Sequence, residues 1–172
     1  GGAGGGVVGN GPPYPIVLAH GFFGFDQFAG VDFATYFFEV KQDLEAQGET
    51  YVFTPAVDPF NDSTTRGAQL AAHVDDVLAQ TGAAKVILIG HSQGGLDARV
   101  VAHDHPEKVA AVITVATPHE GSAVADIALG ITGDPNAQAI IDDLVNLIGA
   151  PLYDQVGNDT SVTQALAQFS TP

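Results

Sequence analysis

Ten residues near the middle of the chain limit its possible folds more than any others. Residues 86–95 read Val-Ile-Leu-Ile-Gly-His-Ser-Gln-Gly-Gly. The apolar, β-branched start predicts a buried strand, and Asp97-Ala98-Arg99-Val100-Val101-Ala102 predicts a helix. A chain that changes from strand to helix within five residues must turn sharply, and the side chain at the apex is lifted clear of the sheet. Gly90 and Gly94 flank Ser92 where side chains would collide across the turn, and Ser92 itself is expected to be strained. A serine hydroxyl becomes a useful nucleophile only when it is exposed, next to a base and beside hydrogen-bond donors. Ser92 is therefore the candidate nucleophile. The amides of Gln93 and Gly94 start the helix, where they can face developing negative charge. An ordinary Gly/Ser turn is the competing reading in a chain with 21 glycines. The strand before Ser92 and the helix after it favour the nucleophile.

A second segment supports the first. Ile16-Val17-Leu18-Ala19 is a buried-strand pattern followed by His20-Gly21-Phe22-Phe23-Gly24. A loop at the end of an early strand can point a backbone N–H at the serine. The amides of Phe22 and Gln93 would together make an oxyanion hole, with donors worth about 3–4 kcal/mol each in the transition state.

Residues 33–47 read as a helix with Phe33, Phe37, Val40 and Leu44 on one face, and 51–54 as a strand. Residues 58–65 form a polar stretch. Residues 69–80 read as a helix with Leu70, Val74, Val77 and Leu78 inward, and 111–116 as a strand. Alternating strands and helices predict an α/β fold, a mostly parallel sheet with helices on both faces. The chain divides into a flexible Gly-rich start (1–13), this core (14–121) and a region of helical character (122–172).

Four stretches, in this order and spacing, carry a family resemblance: residues 14–21 (Tyr-Pro-Ile-Val-Leu-Ala-His-Gly), 66–70 (Arg-Gly-Ala-Gln-Leu), 90–95 (Gly-His-Ser-Gln-Gly-Gly) and 117–122 (Thr-Pro-His-Glu-Gly-Ser). The chain resembles the N-terminal part of secreted bacterial triacylglycerol lipases of the Pseudomonas and Burkholderia type, which have the α/β-hydrolase fold. The resemblance covers residues 14–130 well. It implies Ser92 as nucleophile and the Phe22 and Gln93 amides as oxyanion hole, with His20, Gly21 and His91 in the supporting motifs. It implies that Arg66 helps to hold the oxyanion loop, where the residue pattern alone also allows a surface charge at a helix start. It implies a structural Thr-Pro-His turn at His119, and Glu120 departs from the family's usual basic residue. It also implies secretion, a lipid ester substrate met at an oil–water interface, and a calcium ion whose ligands lie outside this chain.

The fold delivers its triad in the order Ser, Asp or Glu, His. Only His103, His105 and His119 follow Ser92. The first two come about a dozen residues later on the same helix, ~15–18 Å away along its axis. His119 is the one internal candidate for the base, against the structural reading. Asp97 and Asp104 on that helix read as solvated or paired rather than catalytic. The expectation is that base and acid belong to a C-terminal fragment of the same protein, either a second chain that stays associated after nicking or a part removed by shortening.

Charge excludes other classes. Twenty acids face five bases, for a formal net charge of −15. Nucleic acid needs clustered Lys and Arg, so it is not an expected partner. Cysteine is absent, which removes Cys nucleophiles and Cys metal sites, and no metal or cofactor site is expected in this chain. No run of 18 apolar residues suggests a membrane span.

Ile140, Ile141, Leu144, Val145, Leu147 and Ile148 form a broad apolar stripe opposite Asp142 and Asp143. Either a core helix or a lid over the serine accounts for it, and its place after the last strand together with the lipase resemblance favours the lid. Two further readings stay open for the whole chain. One is a carboxylesterase, phospholipase or polyester hydrolase. The other is a non-catalytic binding module of the same fold.

Overall fold

The computed structural model describes residues 14–21, 33–58 and 61–121. Strands β1 (Ile16–Ala19), β2 (Val52–Phe53), β3 (Val86–His91) and β4 (Val109–Val115) alternate with helices α1 (Phe33–Ala46), α2 (Ser63–Thr81) and α3 (Gln93–Asp104). The strands make one sheet in the order β2-β1-β3-β4, parallel at every pairing. The chain thus leaves β1 to one side and returns past it to β3. Right-handed crossovers then place α1 on one face and α2 and α3 on the other.

The core follows from this winding. Successive residues of a strand point to opposite faces, and all four residues of β1 are buried. Val17 and Ala19 join Val86 and Leu88 of β3, Leu70, Val74 and Val77 of α2, and Ala98 and Val101 of α3 in one apolar cluster. Ile16, Leu18 and Val52 pack on the other face with Val40 and Leu44 of α1. A strand covered on both sides needs apolar residues at every position, which is why β1 lacks alternation.

Two boundaries differ from the sequence pattern. Helix α2 starts at Ser63, ahead of the apolar periodicity. Asp62 is extended (φ −70°, ψ 161°), and its carboxylate accepts the Thr65 N–H at 2.9 Å. The polar stretch before residue 66 therefore supplies a helix cap, for which a short acidic side chain is well suited. Arg66 consequently lies within the helix. Strand β4 spans Val109–Val115 and ends where Ala116 turns to φ 49°. Its register against β3 shifts between Val86 and Ile87, so Val86 faces Val109 while Ile87 faces Ala111.

On the α1 face of β4, Ile113 and Val115 are 49% and 43% exposed. The segments 1–13 and 122–172, with Phe22 and the stripe from Ile140 to Ile148, lie outside the described residues.

Helices α2 and α3 meet closely at Gly67. A Cβ there would lie 2.6 Å from Val100 Cγ1 and 2.7 Å from Val100 Cβ. Gly67→Ala should therefore lower stability by about 1–3 kcal/mol through overpacking. Adding Val100→Ala should recover most of that loss. Urea denaturation of the two variants checks this, and a double variant no better than the single one would contradict the contact.

Candidate active site

Ser92 follows the last residue of β3 and immediately precedes α3. Its N–H donates to the Val115 carbonyl of β4 at 2.9 Å, which anchors the turn to the sheet. Its backbone sits at φ 53°, ψ −127°. A non-glycine residue there is strained by on the order of 1–3 kcal/mol, which the surrounding structure must sustain. The glycines make the turn possible. A Cβ on Gly90 would strike the Gly94 carbonyl, and a Cβ on Gly94 would strike the Ala19 carbonyl at the end of β1.

The segment after β1 closes on the same place. A Cβ on Gly21 would lie 2.8 Å from Ser92 Cβ and 3.2 Å from Ser92 Oγ. The backbone of Gly21 therefore lies directly against the serine. Both segments leave the carboxyl ends of β1 and β3, the neighbours between which the chain reverses its direction across the sheet. Open α/β sheets form their ligand crevice at such a switch point.

Gln93 opens α3, so its N–H has no acceptor within the helix and carries part of the positive end of the helix dipole. Its fully buried side chain donates through Nε2 to the Asn61 carbonyl at 2.8 Å. This bond pins the start of α3 to the segment that leads into α2. Phe22, the other expected amide, lies outside the described residues, one position after Gly21.

Arg66 is not a surface charge. Its side chain and that of Asp97 are both 0% exposed, and Arg66 Nε donates to Asp97 Oδ2 at 2.8 Å. The other arm of the guanidinium reaches the loop after β1: Nη2 donates to the His20 carbonyl at 2.6 Å and Nη1 to the Gly21 carbonyl at 3.3 Å. Burial pushes the Asp97 carboxyl up to about 6, while Arg66 beside it and the nearby Ser63 hydroxyl pull it back. The Arg66 Nε–H donated to Oδ2 favours the carboxylate form. The sequence pattern allows a solvated or a paired side chain at Asp97, and the structure pairs it with Arg66. A usable signal was its place on α3 among Gly94, Ala98 and Val101, spaced as one buried face.

All six histidines of the chain are described. His20 Nδ1 donates to the Gly21 carbonyl at 2.9 Å, and its Nε2 accepts the Val57 N–H at 3.1 Å. Both ring nitrogens are thus used to join the loop after β1 to the segment after β2. His119 is exposed; its Nδ1 accepts from Arg99 Nη1 at 3.0 Å and its Nε2 meets Thr114 Oγ1 at 3.0 Å. His73 bonds the Ala56 carbonyl, His103 the Asp104 carboxylate, and His105 lies 3.7 Å from Glu107. His91 is half-buried at the end of β3, and burial lowers its ring below the usual imidazole range. Among the described residues, no group of three or more histidine or carboxylate side chains is arranged to hold a cation.

Burial lowers His20 as well, with the Arg66 charge adding to it. Unfolding frees a ring that binds a proton near pH 6.5, more readily than the folded one does. The stability that neutral His20 contributes is therefore present above that pH and lost below it. His20→Asn should flatten this acid loss. Urea midpoints at about pH 7.5 and about pH 5.5 should lie closer together in the variant than in the wild type. An equal gap in both would contradict the buried neutral imidazole.

Comparison with known proteins agrees with this geometry. Residues 14–151 match the family model described as alpha/beta hydrolase fold. The chain is 49% identical to a triacylglycerol lipase of Vibrio cholerae over 118 residues, which is 69% of this chain and 36% of that protein. It is 40% identical to a triacylglycerol lipase of Burkholderia plantarii over 163 residues, covering 92% of this chain and 45% of the relative. Among solved structures, a Bacillus licheniformis lipase in its propeptide form superposes with a TM-score of 0.55 at 28% identity, over 88% of this chain and 34% of the other. The chain spans half or less of the length of these curated relatives. With the parallel sheet, the strand–turn–helix at Ser92 and a matching family model over most of its length, the chain belongs to the α/β-hydrolase fold family.

Proposed function

We propose that the chain is the nucleophile-bearing part of a secreted triacylglycerol lipase, with Ser92 as nucleophile. The observation that carries this reading is the strained Ser92 turn at the crevice between β1 and β3, with the Gly21 backbone against the side chain. The similarity to curated triacylglycerol lipases supports the choice of substrate class.

In the proposed reaction, Ser92 Oγ attacks the carbonyl carbon of a lipid ester and gives its proton to a histidine. The negative charge that develops on the carbonyl oxygen is met by the amides of Gln93 and Phe22. The carbon–alkoxy bond breaks, the histidine returns the proton to the leaving alcohol, and an acyl-serine remains. Water, deprotonated by the same histidine, attacks the acyl carbon; the bond to Ser92 Oγ breaks, the histidine returns the proton to Oγ, and the fatty acid leaves. Histidine and acid are proposed to come from polypeptide outside these 172 residues, the C-terminal part of the same protein. Support comes from the ring contacts of His20, His73, His103, His105 and His119, all made to groups other than the serine. Calcium, where the lipase resemblance implies it, is proposed to be held in that same part, and no step above runs through it.

The five bases support a partner without phosphate. Lys41 pairs with Glu45, Arg66 with Asp97 and Lys108 with Asp75, while Lys85 and Arg99 are held by Val109 and His119. An uncharged oil surface suits such a chain better than nucleic acid does. Residues 140–148 are proposed as a lid that opens at that surface.

Ser92→Ala should abolish hydrolysis of a triglyceride emulsion while leaving the urea midpoint nearly unchanged. A fluorophosphonate probe should label the wild type at Ser92 alone. Retained turnover in the variant, or no labelling of the catalytically competent wild type, would sink the proposal. For the lid, the rate on a short-chain triglyceride should rise abruptly once substrate exceeds its solubility. Smooth saturation through that point would argue against it.

A further inference from the structure

We propose that Asp97 is a positioning residue for the oxyanion loop. It holds the Arg66 guanidinium in the orientation that lets both Nη groups reach the His20 and Gly21 carbonyls. The inference rests on Ser92 being the nucleophile and deepens that reading.

The geometry is a strut between two elements. Asp97 lies on α3, one turn after Gln93, so it moves with the helix that starts beside Ser92. Arg66 reaches from α2 with Nε on Asp97 Oδ2 at 2.8 Å, and its outer nitrogens at 2.6 and 3.3 Å from the two loop carbonyls. A guanidinium is a rigid planar fork, so fixing its Nε edge fixes where its other donors point. Without the carboxylate, the long arginine stem has several rotamers and a buried charge with no counter-ion, which favours turning toward water.

Close approach to Ser92 extends the effect to the chemistry. A Cβ on Gly21 would sit 2.8 Å from Ser92 Cβ and 3.2 Å from Ser92 Oγ, so the Gly21 backbone lies against the proposed nucleophile. Arg66 Nη1 on the Gly21 oxygen therefore helps to set where that backbone stands relative to Oγ. The chain of orientation runs from the Asp97 carboxylate through Arg66 to the Gly21 backbone beside Ser92. Its origin on α3 ties that backbone to the helix that opens with Gln93, a proposed oxyanion donor. A buried carboxylate on the proposed nucleophile helix thus does more than balance charge.

The test is kinetic, in the catalytically competent protein. Asp97→Asn keeps the shape of the side chain and removes its charge. It should lower kcat roughly 10²-fold, the scale expected for a misplaced catalytic group, with KM unchanged within about threefold. Fluorophosphonate labelling of Ser92 should slow by a similar factor. Arg66→Gln should do the same, and the double variant should lose little more than the worse single one, because both act through one strut.

The double variant also separates positioning from bulk stability. It removes both buried charges together, so it should fold even where a single variant does not. A structural role predicts that kcat recovers along with the urea midpoint; a positioning role predicts that kcat stays low. Wild-type kcat in folded Asp97→Asn or in the double variant, or a loss confined to KM, would overturn the inference. Failure of the wild type to label at Ser92 would instead overturn the nucleophile reading. Normal labelling of the wild type with an undiminished rate in Asp97→Asn would overturn only the role of Asp97.

Discussion

The architecture depends on backbone segments passing one another with nothing between them. The turn at Ser92, the end of β1 and the loop that follows it meet at Gly21, Gly90 and Gly94, and a methyl group at any of these would enter another segment's atoms. Such contact brings the Gly21 backbone directly against the Ser92 side chain. The strained Ser92 backbone is tolerated because both ends are held. The ladder to Val115 grips it on the sheet side, and α3 begins at once on the other. Side chains set the site less than their absence does.

Close passage leaves carbonyl groups facing inward, and these need donors where water is excluded. Arg66 supplies them. A fully buried guanidinium is costly unless its charge and its N–H groups are satisfied together. Here Asp97 takes the charge and one donor, and the His20 and Gly21 carbonyls take two more. The same residue that satisfies the loop therefore also orients it. His20 makes a second tie, using both ring nitrogens between the loop and Val57.

The fold was legible from residues 16–19, 69–80 and 86–116 because strand and helix periodicities are local. The turn at Ser92 was legible for the same reason, since its glycines and flanking elements lie within ten residues. Arg66 was harder. Its helix begins at the Asp62 cap rather than where apolar periodicity starts, so the pattern could not decide between burial and exposure. Asp97 was harder still. An acid on a helix is usually solvated, and its burial depends on an arginine 31 residues earlier. Pairs of that separation have no local signature. What the sequence did offer was an acid spaced with Gly94, Ala98 and Val101 on a face too apolar for an unpaired charge.

The sheet limits where the proposed base would enter. All described strands are parallel, and Ser92 emerges at the carboxyl ends of β3 and β4, bonded to Val115. A further parallel strand beside β4 would lie about 4.8 Å from it and would release its own loop at the same end. A loop there is one or two strand spacings from the serine, within reach of a histidine side chain. Ile113 and Val115, about half exposed on the α1 face, mark that side as one that gains from being covered. His119 leaves β4 at this end too, yet its ring is held by Arg99 and Thr114. A base delivered by a neighbouring strand would leave the contacts of His119 with Arg99 and Thr114 in place.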